Sequence, residues 1–548
     1  MKHLPAHLPL AALVLAALPA LAQQQPDAGR VLQENTPPQL NLPRPSPGLK
    51  IETPSTPVAP GGAQVALQGI AISGNTIFSQ DELLAALGDV SGKSYDFAGL
   101  NALARSITAH YQAAGYPFAR AYLPPQDLSQ GQLRIQVVEG HYGKIVAHGE
   151  PAFTGSAQRF LSHLRSGDVI ETRALERVTL LLDDQPGIRT VPVVRPGQEV
   201  GSGDLLVEVQ RDHRYSGDVG LDNHGNRFTG RNRVHLNANA DSPFMLGDQI
   251  ALQSLYTDER MWFGSLAYHL PLGSSGLRGR VAYTHSFYSL AGDFGSLDAS
   301  GTADVTSIGL SYPIIRSQQR NLVLAASFEH KQLKDRQGAA GTSSSKTSSG
   351  IPVALSFDVR DQLYRAGITY GSLSWTRGSA NLDDTLASTD QSTARTSGSF
   401  NKFNLDLARI QSLAEHVDLY GRASAQWTGK NLDSSEKFGL GGINGVRAYP
   451  SGEGFGDDGW LAQVELRYAS GPYTPFLFYD AGRVKINHDA WAAGDNHRSI
   501  AGGGAGLRYA RGPWSGALTL AWRTRGGAPR SDTQDHVPIA WASMQYRF

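Results

Sequence analysis

The residues best placed to do chemistry in this chain are an arginine and an aspartate. Arg447 stands at the centre of Gly439–Trp460 (GLGGINGVRAYPSGEGFGDDGW), where a glycine-rich frame surrounds the bulky run Val446, Arg447, Ala448, Tyr449. Asp480 follows in Phe478-Tyr479-Asp480-Ala481-Gly482. A guanidinium offers a planar fork that engages a carboxylate through two parallel hydrogen bonds. The chemistry implied is a fixed ion pair rather than a reaction. Buried pairs of this kind serve as registry or switch devices more than as sources of stability.

Three other groups mimic reactive sites. His488, Asp489, Asp495 and His497 lack the spacing of zinc ligands and read as a solvated loop. Gly502-Gly503-Gly504-Ala505-Gly506 lacks the Lys-Ser/Thr of a phosphate loop and runs into strand-like Leu507-Arg508-Tyr509. Glycines there suit bending or a close backbone approach. Asp183-Asp184 reads as a helix end before the Pro186-Gly187 turn. With no Gly-x-Ser-x-Gly element and no nucleophile beside a base, the expectation is a protein that is not an enzyme and uses no cofactor or metal.

Positioning the pair requires a loop and a wall. A connection as long as 439–460 inside a regular region is functional or disordered, and Val, Arg and Tyr on a glycine frame point to a folded loop. On a strand, Phe476, Phe478, Asp480 and Gly482 share one face, and Leu477, Tyr479 and Ala481 the other. Gly482 leaves room for a loop backbone to approach.

The region that supplies this wall spans 213–548. Segments of about ten residues alternate there. Val234, Leu236, Ala238 and Ala240 interleave with His235, Asn237, Asn239 and Asp241. Trp460, Ala462, Val464, Leu466 and Tyr468 interleave with Leu461, Gln463, Glu465 and Arg467. One face keeps charges and amides, and the other is aliphatic, small or aromatic, with aromatics at segment ends. That is the signature of a transmembrane antiparallel β-barrel, of about 16 strands for this length. Pro271-Leu272-Gly273 reads as a tight turn, whereas Gln337–Ser349 and Asn381–Ser397 read as long polar loops. Phe548 ends the final strand as a C-terminal barrel signal.

Ahead of the barrel, two α+β units of order β-α-α-β-β repeat in tandem over 63–140 and 141–212. In the first, Gln80–Leu87 is a helix capped by Ser79 with Glu82 in capping-box spacing, and Phe97–Ala114 is a second helix. In the second, helices are expected over Ala157–Leu164 and Thr172–Leu182. Open strand edges in such units can accept an extended peptide. Residues 1–22 have the charged start, short apolar run and small-residue end of a secretory signal. Residues 23–39 form a short helix with Ala28, Val31 and Leu32 on one face, and 40–62 is a proline-rich linker.

The bulk numbers agree. Hydrophobic residues are 40% and charged residues 18%, and mean hydropathy is −0.28, which excludes a bundle of membrane helices. There is no cysteine, so stability rests on packing and backbone pairing. The formal net charge is zero, which gives no global bias toward nucleic acid.

The chain resembles the outer-membrane transporters of two-partner secretion (the TpsB family), in a superfamily that includes the barrel-assembly insertases. The family carries Val-Arg-Gly-Tyr at the tip of an inward-folded loop and Phe-x-Asp-x-Gly on the barrel wall. Here these are Val446, Arg447, Ala448, Tyr449 and Phe478, Asp480, Gly482, with alanine at the glycine position. Ala448 disfavours positive φ and implies a slightly different tip. Gly74-Asn75-Thr76-Ile77-Phe78 is similar to the first turn of the family's POTRA domains. The resemblance implies two periplasmic POTRA domains, an N-terminal plug helix and an Arg447–Asp480 pair. It also implies a large TpsA-type exoprotein bound unfolded and secreted without ATP by the type V route. Outer-membrane lipid and the barrel-assembly machinery that inserts the protein are the other implied partners. The alternatives are an insertase of the same superfamily or a passive porin.

Overall fold

The computed structural model describes residues 25–36, 61 and 63–548. The expected signal over 1–22 and, Gly61 apart, the linker over 40–62 lie outside the described residues.

Helix α1 (Ala28–Asn35) starts where the Asp27 carboxylate accepts the Arg30 amide at 2.9 Å, an N-cap. Ala28, Val31 and Leu32, at helical spacing, are buried. They pack against Phe263, Tyr288 and Leu333 on barrel strands and against Phe228 and Met261 in strand connections, so the helix lies inside the barrel.

The first unit contains α2 (Gln80–Leu87), α3 (Phe97–Ala113) and a three-stranded sheet. Gly69–Ser73 runs parallel to Gln132–Val138, which pairs antiparallel with Arg120–Tyr122. The capping box between Ser79 and Glu82 is formed. The Gly74–Phe78 turn is held from beneath by Glu139. Its carboxylate accepts the amides of Thr76 (2.6 Å) and Ile77 (2.8 Å), the Thr76 hydroxyl and the Tyr111 hydroxyl (2.8 Å). Phe78 then stacks edge-on against Tyr111 at 4.9 Å. Burial raises the Glu139 pKa, but these hydrogen bonds outweigh it and hold the carboxyl below the usual range.

The second unit repeats the topology. His141–Gly149 runs parallel to Ser202–Arg211, which pairs antiparallel with Ile188–Pro196. Its helices are α4 (Pro151–Leu161) and α5 (Thr172–Asp183). Helix α4 begins six residues before the expected Ala157, because Pro151 occupies the first turn, where its missing N–H costs nothing.

The remainder is a closed antiparallel barrel of 16 strands, in agreement with the expected fold class. In chain order these are β1 (Tyr215–Asp222), β2 (Arg233–Asp241), β3 (Gln249–Thr257), β4 (Trp262–Pro271), β5 (Arg278–Ser289) and β6 (Ala299–Arg316). There follow β7 (Arg320–Gln337), β8 (Thr342–Asp361), β9 (Gly367–Leu382), β10 (Gly398–Ala414) and β11 (Val417–Thr428). The last are β12 (Asp458–Tyr468), β13 (Tyr473–Lys485), β14 (His497–Arg511), β15 (Trp514–Arg525) and β16 (Ile539–Arg547). Strand β16 pairs with β1, and Phe548 exchanges backbone hydrogen bonds with Gly217 just beyond the seam.

The two faces separate as the alternation requires. Along β12, Trp460, Val464, Leu466 and Tyr468 are exposed, while Leu461, Gln463 and Glu465 are buried. Outward aromatics form two bands. Trp375, Phe403 and Trp427 stand in one cross-strand row toward the far end. The pairs Tyr473–Tyr509 and Trp514–Tyr546 mark the end near the α/β units. Turns at the near end are short, such as 415–416 and 512–513, and far-end connections include 383–397 and 429–457.

One loop expectation is corrected and another gains a helix. Gln337–Ser349 is no long loop: only 338–341 link β7 to β8, and Thr342–Ser349 is strand. Serine and threonine dominate there with no apolar face because the hairpin stands beyond the outward apolar band, while its inward side chains Lys346 and Ser348 are buried against the polar groups Asp27 and Glu436. Within Asn381–Ser397 lies helix α6 (Asp384–Ser392), N-capped by Asp383.

Candidate functional site

The connection between β11 and β12 runs over 429–457, longer than the expected 439–460 at its start and shorter at its end. Trp460 belongs to β12 and faces outward. The loop turns into the lumen, closed at its base by a small pairing of Phe438–Gly439 with Phe455–Gly456. Its tip is buried in a cluster with Leu440, Val446, Ala448 and Tyr449.

Arg447 is 4% exposed and Asp480 0%. Arg447 Nε donates to Asp480 Oδ2 at 2.8 Å and Nη2 to Oδ1 at 2.7 Å, and the Arg447 amide adds a bond to Oδ2 at 3.1 Å. The carboxylate therefore holds the side chain and the backbone of the loop tip together. Phe478 lies under the guanidinium at 3.7 Å. Beyond the tip, Trp541 Nε1 donates to the Arg447 carbonyl at 2.7 Å, and the Tyr449 hydroxyl lies 2.8 Å from the Arg525 carbonyl and 2.9 Å from that of Gly527.

A third charged partner was missed. Glu465 on β12 accepts Arg447 Nη1 at 2.5 Å and also holds Arg467 and Arg508. Its place on the inward face of the Trp460–Tyr468 alternation was the available signal; nothing in the sequence tied it to a residue 18 positions back. The resulting cluster joins three arginines to two carboxylates, and Phe476 stacks beneath Arg508 at 4.0 Å.

The alanine at 448 fits without a left-handed backbone, since no residue of the tip outside the glycines has a positive φ. Its methyl points at Gly502 on β14, where a Cβ would lie 2.2 Å from that of Ala448. The glycine run 502–506 thus provides the close approach that its composition suggested. Gly482 does the same for Leu440, 2.7 Å from where its Cβ would be.

Helix α1 is seated between this loop and the tall β6–β8 wall. Asp27 pairs with Lys346 at 2.9 Å, and the Ala28 amide donates to Asp335 at 2.8 Å. On the loop side, Ser434 Oγ donates to Asp27 at 2.6 Å, Arg30 donates to the Gly452 carbonyl at 2.9 Å, and Gln33 meets the Ser435 carbonyl. Gly29 makes that contact possible: a Cβ there would lie 2.3 Å from Ser434 Oγ and 2.6 Å from the Ser435 amide. Glu436 fastens the same loop segment to Lys331 (2.7 Å) and Lys402 (2.6 Å).

The declined candidates go elsewhere. His488 faces Asp458 at 2.8 Å, and the Asp489 amide donates to Asn431. Among the described residues no cluster of three or more His, Asp or Glu has the geometry of a metal site. Asp184 does more than end a helix: both of its oxygens take Arg316 of β6 at 2.7 Å, docking the second unit on the barrel.

The chain is similar to known proteins. The family described as haemolysin secretion/activation protein ShlB/FhaC/HecB matches residues 201–509, and the ShlB-type POTRA domain matches 65–140. The heme/hemopexin transporter protein HuxB of Haemophilus influenzae is 28% identical over 441 residues, 78% of each chain. The hemolysin transporter protein ShlB of Serratia marcescens is 25% identical over 482 residues, 84% of this chain and 82% of its own. Among solved structures, CdiB from Escherichia coli superposes with a TM-score of 0.71 at 21% identity, covering 90% of this chain and 93% of that one. With a family match over more than half its length, the chain belongs to the ShlB/FhaC/HecB haemolysin secretion/activation family, the outer-membrane transporters of two-partner secretion.

Proposed function

We propose that this protein takes a large exoprotein, unfolded in the periplasm, by its two N-terminal units and passes it through the barrel without ATP. The observation that carries this reading is the lumen itself. Two elements of the same chain, α1 and the 429–457 loop, occupy it and are fastened by polar and ionic contacts beside small apolar clusters. Such contacts exchange with water or with an incoming polar backbone at little net cost. A passive pore has no use for them.

Each unit ends its sheet in unpaired edges, and Val191 and Val193 are exposed on the edge strand of the second. An extended client segment adds there as a further strand, with side-chain pockets giving selectivity. The segment then enters the polar lumen as α1 leaves, its backbone hydrated throughout. Folding outside makes transit irreversible. Arg447, Asp480 and Glu465 set the resting position of the loop, and Phe548 closes the seam that insertion by the barrel-assembly machinery must complete.

Deleting the gene in its own bacterium tests the reading. Loss of one large exoprotein from the surface and medium, with other outer-membrane barrels unchanged, is the expected result. Depletion of many barrels would instead mark an insertase, and altered small-solute uptake alone a porin.

A further inference from the structure

The outward face of β13–β15 carries a charged cluster that the translocation reading leaves unused. Toward the far end, Trp460, Arg483 and Ser499 stand in one cross-strand row on β12, β13 and β14. Arg525 pairs beside them with Ala501. Arg483, Ser499 and Arg525, with His497, Arg498 and Arg530, line a cavity of about 320 Å³ whose one carboxylate is Asp495. Asp495 accepts the His497 amide at 3.0 Å. Arg498 turns inward and is neutralised by Glu453 at 2.7 Å. Arg483, Arg525 and Arg530 are exposed, and their guanidiniums have no hydrogen-bond or ion-pair partner among the described residues.

Three uncompensated guanidiniums around one pocket repel each other, and an anion relieves that repulsion. The fork geometry of arginine matches a phosphate, which accepts from several such groups at once. Depth decides which phosphate. Arg483 shares its row with Trp460 at the outer aromatic band, the level of lipid headgroups. Long cationic side chains at that level extend their charge into the headgroup layer while their stems stay against the apolar wall.

We propose that this pocket binds a phosphate carried on the headgroup of an outer-leaflet lipid, with Arg483, Arg525 and Arg530 as its ligands. The inference requires the barrel to sit in the outer membrane but is independent of what crosses the lumen.

The test uses the full-length protein, delipidated in detergent, with bisphosphorylated lipid A as the probe and retention read by native mass spectrometry. Phosphorylated lipid A should bind about tenfold or more tighter than the same lipid with its phosphates removed, and R483A/R525A should lose about tenfold or more of that affinity. Equal binding of the two lipids, or no change in the double variant, would overturn the proposal. Displacement by inorganic phosphate would assign the pocket to the free ion and overturn the lipid assignment. Heat-shifted electrophoretic mobility checks that the variant barrel is folded. If it is not, Arg530→Ala on the exposed segment replaces it, with the same loss expected. The readout is lipid retention, so its failure leaves the secretion reading standing.

Discussion

Arg447 is held by more than the aspartate opposite it, and that alters what a charge reversal would show. Removing one partner of a buried pair costs about 3–5 kcal/mol because the other is left uncompensated. Arg447→Ala should therefore free the loop tip, seen as new protease cleavage within 429–457 and loss of exoprotein release. Swapping the charges at 447 and 480 would set a carboxylate at 447 against Glu465, which lies 2.5 Å from the present guanidinium. Recovery of secretion is thus expected in the swap only when Glu465→Gln is added; recovery without it would argue against the three-way arrangement. Gly502→Val should act like Arg447→Ala without touching a charge, because its side chain meets the Ala448 methyl. The ion pair was legible from two short motifs, one on a glycine-framed loop and one on a strand of readable phase. Glu465 and the Ala448–Gly502 contact were not, since both depend on how far the loop penetrates, and loop depth leaves no periodic mark.

At the scale of elements, α1 is the helix that the lumen encloses. It is eight residues long, too short to be a stable helix by itself, so its fold depends on its seat. Deleting residues 23–60 should raise single-channel conductance in planar bilayers. Gly29→Val should do so with the helix still present, by pushing α1 off Ser434. A closed trace for both would remove α1 as the element that blocks the pore. The alternation of the barrel strands, the capping box of α2 and the buried face of α1 could be read directly. The 337–349 hairpin could not: its outward face stands beyond the apolar band and its inward side chains Lys346 and Ser348 meet polar partners, so its sequence loses the apolar period and reads as a loop.

The whole molecule is assembled from parts joined in different ways. The second unit is docked on the near-end turns through Asp184–Arg316, Arg278 with Gln185 at 2.9 Å, and Arg177 with the Pro313 carbonyl at 2.9 Å. The Asp184 carboxylate is partly exposed, so a double-mutant cycle on its pair should return only about 0–1 kcal/mol. The first unit is instead tied internally by Glu139. Because hydrogen bonds keep that carboxyl below its ordinary pKa, its contribution is full above the normal carboxylate range. It is lost as pH falls through the lowered value. Hydrogen exchange over 65–140 should rise in acid before the barrel loosens, and Glu139→Ala should bring that change to neutral pH at a cost of roughly 2–4 kcal/mol.

The barrel rim is uneven, and this gives the exit a direction. Strand β8 runs for 20 residues and β1 for 8, or about 66 Å against about 26 Å at ~3.3 Å per residue. Strands β6–β10 stand as a screen above the membrane on one flank, while β1–β4 stay low on the other. A chain leaving the lumen has a wall behind it and open space in front. Its first folded turns are laid down over the low lip, on one side of the transporter rather than around it.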